Sequence, residues 1–183
     1  MAKRRGFASD NNSGIHPKVI KAIVDANIGH VIAYGDDQFT KSAKELFCWH
    51  FGENVETFFV TTGTAANVLG LLAGTQSYNS IVSARSAHLH VDECGAPQKI
   101  TGCTLIQIDT RDGKLNVPLV EPHIYGFGDK HHPQPRVISI SEPTELETVY
   151  SLDELRELSD FAHGQGMLLH MDGARLSNAA VGL

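Results

Sequence analysis

The sequence predicts an α/β fold, a three-layer sandwich with a mostly parallel sheet between two layers of helices. The observation that leads to this prediction is that short apolar runs alternate with amphipathic helical patterns along the chain. Strands separated by helices favour parallel pairing, because each helix carries the chain back to the starting edge of the sheet. The 183 residues are enough for one domain with a real core.

Two amphipathic helices come first, over 16–29 and 39–52, and Gly52 suits the end of the second. Later in the chain, Ser151 and Glu154 have the spacing of a capping box, which predicts a helix that ends at Gly164 or Gly166. The other predicted elements are a strand over 56–63, a helix over 64–75, strands over 80–84, 103–109, 136–141 and 167–171, and a last helix that follows.

The composition limits the class of protein. A net charge of −6 argues against nucleic acid as a main partner, and no segment approaches the roughly 18 apolar residues of a membrane span. The N-terminal stretch lacks the apolar core of a signal peptide. Because the three cysteines are odd in number and widely spaced, we expect free thiols in a reducing compartment, and therefore a cytoplasmic protein.

Polar residues follow the strand predicted over 56–63. Thr62, Gly63 and Thr64 lead directly into a helix, where free backbone N–H groups and the helix dipole favour an anion such as phosphate. Glycine would let the backbone come close to that ligand. A plain turn in which a threonine caps the helix explains the same residues, and the two interpretations stay open.

Asp172 follows the last predicted strand, and Arg175 comes three residues later. A carboxylate at the end of an apolar strand is costly to bury unless a cationic group meets it. The arginine, one helical turn on, can present two parallel donors to a planar carboxylate. The alternative is that Asp172 caps the next helix and Arg175 pairs at the surface.

His88 follows another strand, near the start of a short helix, and by itself a histidine there is better explained as a surface cap or a core residue than as a ligand. His90, Asp92 and Glu93 lie close by in the sequence, but no partner set with metal-ligand spacing accompanies them. We therefore expect no metal site.

Three motifs in this order, "TTGTAAN", "SAHLHVDECGA" and "LLHMDGARLSNA", resemble the threonine aldolase and β-eliminating lyase family. These are pyridoxal 5'-phosphate (PLP) enzymes with the aspartate-aminotransferase fold (fold type I). The resemblance runs from "FASDNN" to the end of the chain, and "ECGAP" is similar to the phenylserine-aldolase branch.

The resemblance implies a role for each matching position. Gly63 and Thr64 would hold the cofactor phosphate, His88 would stack on the pyridine ring, and Asp172 would pair with the ring nitrogen. Arg175 would bind the substrate carboxylate, with Ser9 near it. It also implies a homodimer or homotetramer, with "YGDD" (34–37) near the active site at a subunit boundary.

The sequence departs from the family in two respects. The family's Schiff-base lysine lies downstream of the aspartate strand, and this chain ends at Leu183 without a match for it. We therefore expect residues 1–183 to be the N-terminal segment and most of the PLP-binding large domain, inactive without the lysine and the small C-terminal domain. Many threonine aldolases also carry a histidine after the strand that matches 136–141, where this chain reads "SEPTELET". Thr144, a bound water, His88 or His90 are the alternatives for the base.

The resemblance implies a lyase that cleaves a β-hydroxy-α-amino acid, such as threonine or phenylserine, to glycine and an aldehyde. Three alternatives remain from the sequence: β-elimination from an aromatic or cysteine-like amino acid, an aminotransferase reaction, or an inactive chain that only folds or associates.

Overall fold

The computed structural model describes Gly6 and residues 8–182, which divide into two compact units, Met1–Phe58 and Phe59–Leu183. Residues 1–5 and 7, which bear on the signal-peptide argument, lie outside the described residues, as does residue 183. No helix in the described part of the chain is long and apolar enough to cross a bilayer.

The first unit contains a 3₁₀ turn and the two predicted helices: Asp10–Asn12, α1 at Pro17–Ala26 and α2 at Gln38–Phe51. Asp37, the last residue of the "YGDD" run, caps α2 by accepting the Thr40 N–H at 2.9 Å. Gly52 ends this helix with φ of 104°, a conformation that favours glycine. The predicted boundaries of α2 are therefore confirmed to within one residue, whereas α1 stops three residues before Gly29.

The second unit is built on a four-stranded sheet, all parallel, in the order β2-β1-β3-β4. Its elements, in chain order, are α3 (Gly63–Gly74), β1 (Asn79–Ala84), α4 (His88–Val91), α5 (Ala96–Thr101), β2 (Thr104–Ile108), α6 (Val117–Val120), a 3₁₀ turn (Glu121–His123), β3 (Gln134–Ser141), α7 (Leu152–Gly164), β4 (Leu168–Asp172) and α8 (Leu176–Gly182).

Each face of this sheet carries its own apolar cluster, because successive side chains of a strand point to opposite faces. Val82 of β1 belongs to the cluster that includes Leu158 of α7, and Ile81 belongs to the cluster that includes Leu71 of α3 and Leu89 of α4. Helices thus cover both faces, and the predicted three-layer α/β architecture is confirmed. The capping box at Ser151 and Glu154 is present as predicted.

The prediction of a strand over 56–63 is wrong, since the structure assigns none of these residues to a strand. The segment before α3 belongs to no strand, and Phe58, Phe59 and Val60 are 76%, 58% and 41% exposed. Its apolar, β-branched and aromatic composition has the propensity of a strand, but a strand also needs a neighbour that accepts and donates ladder hydrogen bonds. The four strands of the described sheet pair only with one another.

Two short helices, α5 and α6, were not predicted. Each has proline in its first turn, and Asn116 caps α6 by accepting the Leu119 N–H at 3.0 Å. With six and four residues, these helices are too short for apolar residues at helical spacing to be recognised in the sequence.

Candidate active site

His88 is the first residue of α4, directly beyond the carboxyl end of β1. Its backbone N–H donates to Glu145 Oε1 at 2.7 Å, and Ser141 Oγ donates to the same oxygen at 2.9 Å. Its ring Nδ1 lies 3.0 Å from Glu93 Oε1. Two carboxylates, one after α4 and one after β3, therefore hold the backbone and the ring of this histidine.

Glu93 is the most buried charged group of the site, with 2% of the residue exposed. Its Oε1 is 2.7 Å from Asn67 Nδ2, and the same nitrogen is 2.9 Å from Asp172 Oδ2. The amide group has two N–H donors, so both carboxylates receive one hydrogen each. Among the described residues, Glu93 Oε2 is buried without a hydrogen-bond partner.

Asp172 is the last residue of β4 and so lies at the carboxyl edge of the parallel sheet, where ligands bind in open α/β sheets. Its Oδ1 accepts the Ala174 N–H at 3.1 Å, a local turn that realises part of the capping alternative. One ligand atom each of His88, Glu93 and Asp172 lies within 4.8 Å of the others. The predicted pair, His88 and Asp172, thus meets at one place although 84 positions separate the two in sequence number.

Gly63 and Thr64 begin α3, and Thr62 caps this helix by accepting the Ala65 N–H at 3.1 Å. The cap interpretation is therefore correct, and the cap takes the Ala65 N–H but leaves those of Gly63 and Thr64 to an anion. A Cβ at Gly63 would meet no atom within 4 Å, so neither packing nor a positive φ requires glycine there. Asn67, one turn further along α3, joins this helix end to Asp172.

A row of polar side chains crosses all four strands on the α3 side of the sheet, in register: Gln107, Ser83, Ser139 and His170. His170 Nδ1 lies 2.9 Å from Ser139 Oγ. Burial lowers the pKa of His170, and the nearby charges of Asp172 and Glu93 only partly oppose this effect. The imidazole two residues before Asp172 is therefore held in its neutral form.

The two predicted substrate-binding residues are Ser9 and Arg175. Ser9 belongs to the first unit, where its hydroxyl accepts the Asn11 N–H at 3.2 Å. Arg175 lies in the turn between β4 and α8, and its carbonyl accepts the Asn178 N–H at 2.9 Å. Their roles stay predictions.

Sequence reasoning missed Asn67 and Glu145 as site residues, and considered Glu93 only as a metal ligand. Asn67 had a recognisable signal, since it stands three residues after Thr64 and so on the same face of the helix. Glu93 and Glu145 had none, because their roles depend on how separate segments pack.

The residues whose potential metal-ligand atoms lie close together in the structure differ from those that are adjacent in the sequence. The three residues whose ligand atoms converge are His88, Glu93 and Asp172, rather than the run His90, Asp92 and Glu93. Histidine and carboxylate oxygen are ligand types that transition metals accept. The absence of a metal site stays a prediction, which metal removal can test.

Comparison with known proteins places the chain in a family. The beta-eliminating lyase family model matches residues 6–183. A low specificity L-threonine aldolase of Pseudomonas aeruginosa is 45% identical over 174 residues, which are 94% of this chain and 50% of that protein. The chain spans about half the length of the curated relatives it matches.

Solved structures agree in fold. The threonine aldolase of Leishmania major has a TM-score of 0.86 at 27% identity, with 92% of this chain and 49% of that chain covered. An aromatic aminotransferase from Pyrococcus horikoshii has a TM-score of 0.64 at 14% identity, covers 84% of this chain and 41% of its own, and shows the fold alone. The chain, as its three motifs predicted, belongs to the beta-eliminating lyase family.

Proposed function

We propose that this chain supplies the cofactor-binding region of a PLP-dependent aldolase that cleaves a β-hydroxy-α-amino acid, such as threonine or phenylserine, to glycine and an aldehyde. The observation that carries the proposal is the meeting of His88 and Asp172 beyond the carboxyl ends of the strands, joined to the start of α3 through Asn67. The similarity to L-threonine aldolases favours aldol cleavage over β-elimination or transamination.

The residues present fit the cofactor. Glu93 and Asp172 bring two carboxylates close together, and the hydrogen bonds to Asp172 described above come from uncharged groups, the Ala174 N–H and the Asn67 amide. A buried carboxylate beside a half-buried one favours a cationic ligand group, and the protonated ring nitrogen of PLP is such a group. Asp172 would hold that nitrogen, His88 would lie against the ring, and the N–H groups at Gly63 and Thr64 would hold the phosphate.

Held by these residues, PLP would supply an acceptor for the electron pair that remains on Cα when the Cα–Cβ bond breaks. Asp172 would keep the ring nitrogen protonated by stabilising its positive charge. Arg175 would bind the substrate carboxylate with two parallel donors, and the role of Ser9 in substrate binding stays a prediction. These groups orient the amino acid so that the β-hydroxyl lies near a proton acceptor.

His88 is the best-supported acceptor for the β-hydroxyl proton. Thr144 is buried, and its hydroxyl contacts the Thr148 hydroxyl at 2.7 Å and the Asp112 carbonyl at 3.3 Å. His90 Nδ1 lies 2.9 Å from Gln107 Nε2. By contrast, 45% of the His88 side chain is exposed, so its ring can meet a substrate.

We further propose that the protein acts on a small-molecule amino-acid substrate in the cytoplasm as a homodimer or homotetramer. The first unit supports the oligomer: apolar side chains of α1 are exposed, with Ile23 at 57% and Val24 at 64%. Apolar helix faces of this kind are usual at subunit interfaces.

The test uses the protein expressed from its complete coding sequence, incubated with PLP and with L-threonine or phenylserine. We expect release of acetaldehyde or benzaldehyde together with glycine. Release of ammonia and a keto acid from serine or an aromatic amino acid, without aldehyde, would support β-elimination instead. Failure to bind PLP would overturn the proposal altogether.

A further inference from the structure

Glu93 is a buried carboxylate to which the reaction outlined above gives no role beyond favouring a cationic ligand group. Its side chain is fully buried, and one oxygen, Oε1, lies within hydrogen-bond distance of both Asn67 Nδ2 and His88 Nδ1. A buried carboxylate is expensive unless its environment compensates it. Its retention between two polar partners suggests that it orients one of them.

The orientation of Asn67 can be worked out from its neighbours. Its Nδ2 atom lies 2.7 Å from a Glu93 oxygen and 2.9 Å from an Asp172 oxygen. A flipped amide would place its own oxygen against two carboxylates, which repel it, so the NH₂ group faces both acids. Glu93 Oε1 therefore acts as an acceptor at this contact.

The same reasoning gives the tautomer of His88. An ionised carboxylate can only accept hydrogen bonds, so at 3.0 Å the His88 Nδ1 atom must carry the hydrogen. The hydrogen bond made by one ring nitrogen decides the protonation of the other. A neutral His88 then has no hydrogen on Nε2, which is free to accept a proton.

We infer that Glu93 is a positioning residue that fixes His88 as the Nδ1–H tautomer and so makes Nε2 the proton-accepting atom of the ring. The tautomer stands on the contacts of Glu93 alone, whereas the use of Nε2 in a reaction rests on the proposed function. Removing the carboxylate should change the state of the imidazole rather than only the stability of the fold.

His90 provides an internal reference with the opposite tautomer. Arg85 Nη1 donates to Gln107 Oε1 at 2.8 Å, which turns Gln107 Nε2 toward His90 Nδ1 at 2.9 Å. His90 Nδ1 is therefore an acceptor, and a neutral His90 carries its hydrogen on Nε2. Two histidines two residues apart should thus give opposite signals in one spectrum.

The experiment is long-range ¹H–¹⁵N NMR on the protein expressed from its complete coding sequence and labelled with ¹⁵N-histidine. The spectra are recorded at a pH well above the ordinary histidine pKa of about 6.5. His88→Asn and His90→Asn assign the two signals. We expect Nδ1–H for His88 and Nε2–H for His90 in the unmodified protein.

Glu93→Leu should convert His88 mainly to the Nε2–H form, while Glu93→Gln, which keeps an acceptor oxygen, should preserve Nδ1–H at least in part. Asp92→Leu, at the exposed neighbouring residue, is the matched control and should leave the His88 signal unchanged. Because the unmodified spectrum already decides the tautomer, a variant that fails to fold does not remove the test.

An Nε2–H or doubly protonated His88 in the unmodified protein would overturn the inference, and so would an Nδ1–H signal that persists in a folded Glu93→Leu variant. A PLP titration of the same samples, followed by absorbance, tests the proposed function separately. If PLP does not bind, the proposed function fails, and the NMR result still decides the role of Glu93.

Discussion

Asn67→Ala should lower the free energy of unfolding of the second unit by more than a substitution at an exposed helical position does. The residue is 5% exposed, and its side chain donates to two carboxylates from two other segments, Glu93 after α4 and Asp172 at the end of β4. Alanine has the better helix propensity, which returns only a few tenths of a kcal/mol. The two lost hydrogen bonds therefore dominate the change in the free energy of unfolding.

The magnitude follows from the contacts. A hydrogen bond to a charged group contributes about 1.5–3 kcal/mol. We assign this whole free-energy range to the hydrogen bond with Glu93, because that carboxylate is buried and its second oxygen already has no partner among the described residues. Asp172 is only half-buried, so water can replace part of the second bond. We expect a total loss of about 2–4 kcal/mol.

Urea denaturation, followed by circular dichroism, measures this loss as a shift of the midpoint at constant slope. The matched control is Asn178→Ala, at an exposed position of α8, which should change the free energy of unfolding by less than about 0.5 kcal/mol. Equal effects of the two substitutions would refute the bridge between the carboxylates. Asn67→Asp should be worse than alanine, because it adds a third carboxylate to the pair.

Three further predictions concern the cofactor, the acid range and metal. Gly63→Ala should weaken PLP binding in a fluorescence titration while the fold is kept, because the added methyl enters space left open at the start of α3. The control is Gly70→Ala in the same helix, where an added methyl also meets no atom, and this variant should bind PLP as the unmodified protein does. Similar PLP affinities of the two variants would argue against a phosphate at Gly63. Because burial lowers the pKa of His170, the unfolded chain takes up a proton before the folded protein does as the pH falls, and the free energy of unfolding therefore decreases below a pH of about 6.5, by up to about 1.4 kcal/mol per pH unit. His170→Asn should make the free energy of unfolding, measured with urea between neutral and mildly acidic pH, depend less on pH. An unchanged pH dependence would contradict the neutral imidazole. Removal of metal with EDTA should leave PLP affinity and aldehyde release unchanged. A loss that only a divalent cation restores would contradict the absence of a metal site, for which His88, Glu93 and Asp172 are the candidate ligands.

The sequence by itself determined the local features of this protein. The capping box at Ser151, the glycine stop of α2 at Gly52 and the threonine cap of α3 are each set by residues within a few positions, so their chemistry can be read along the chain. The alternation of apolar runs with amphipathic helices also predicted the parallel α/β sheet, because the connection lengths leave few other arrangements. Asp172 was recognisable because a carboxylate that ends an apolar strand needs a partner.

Only the tertiary structure decided which side chains meet. Asn67 and Asp172 are 105 residues apart, and Glu93 contacts both Asn67 and His88, because α3, α4 and β4 come together at one edge of the sheet. The tertiary structure also decided that the segment over 56–63 is not a strand of the described sheet. Its composition is that of a strand, but it forms no ladder with that sheet. Propensity and caps act between near neighbours, whereas strand pairing and the sharing of one amide between two carboxylates depend on packing that distant parts of the chain determine together.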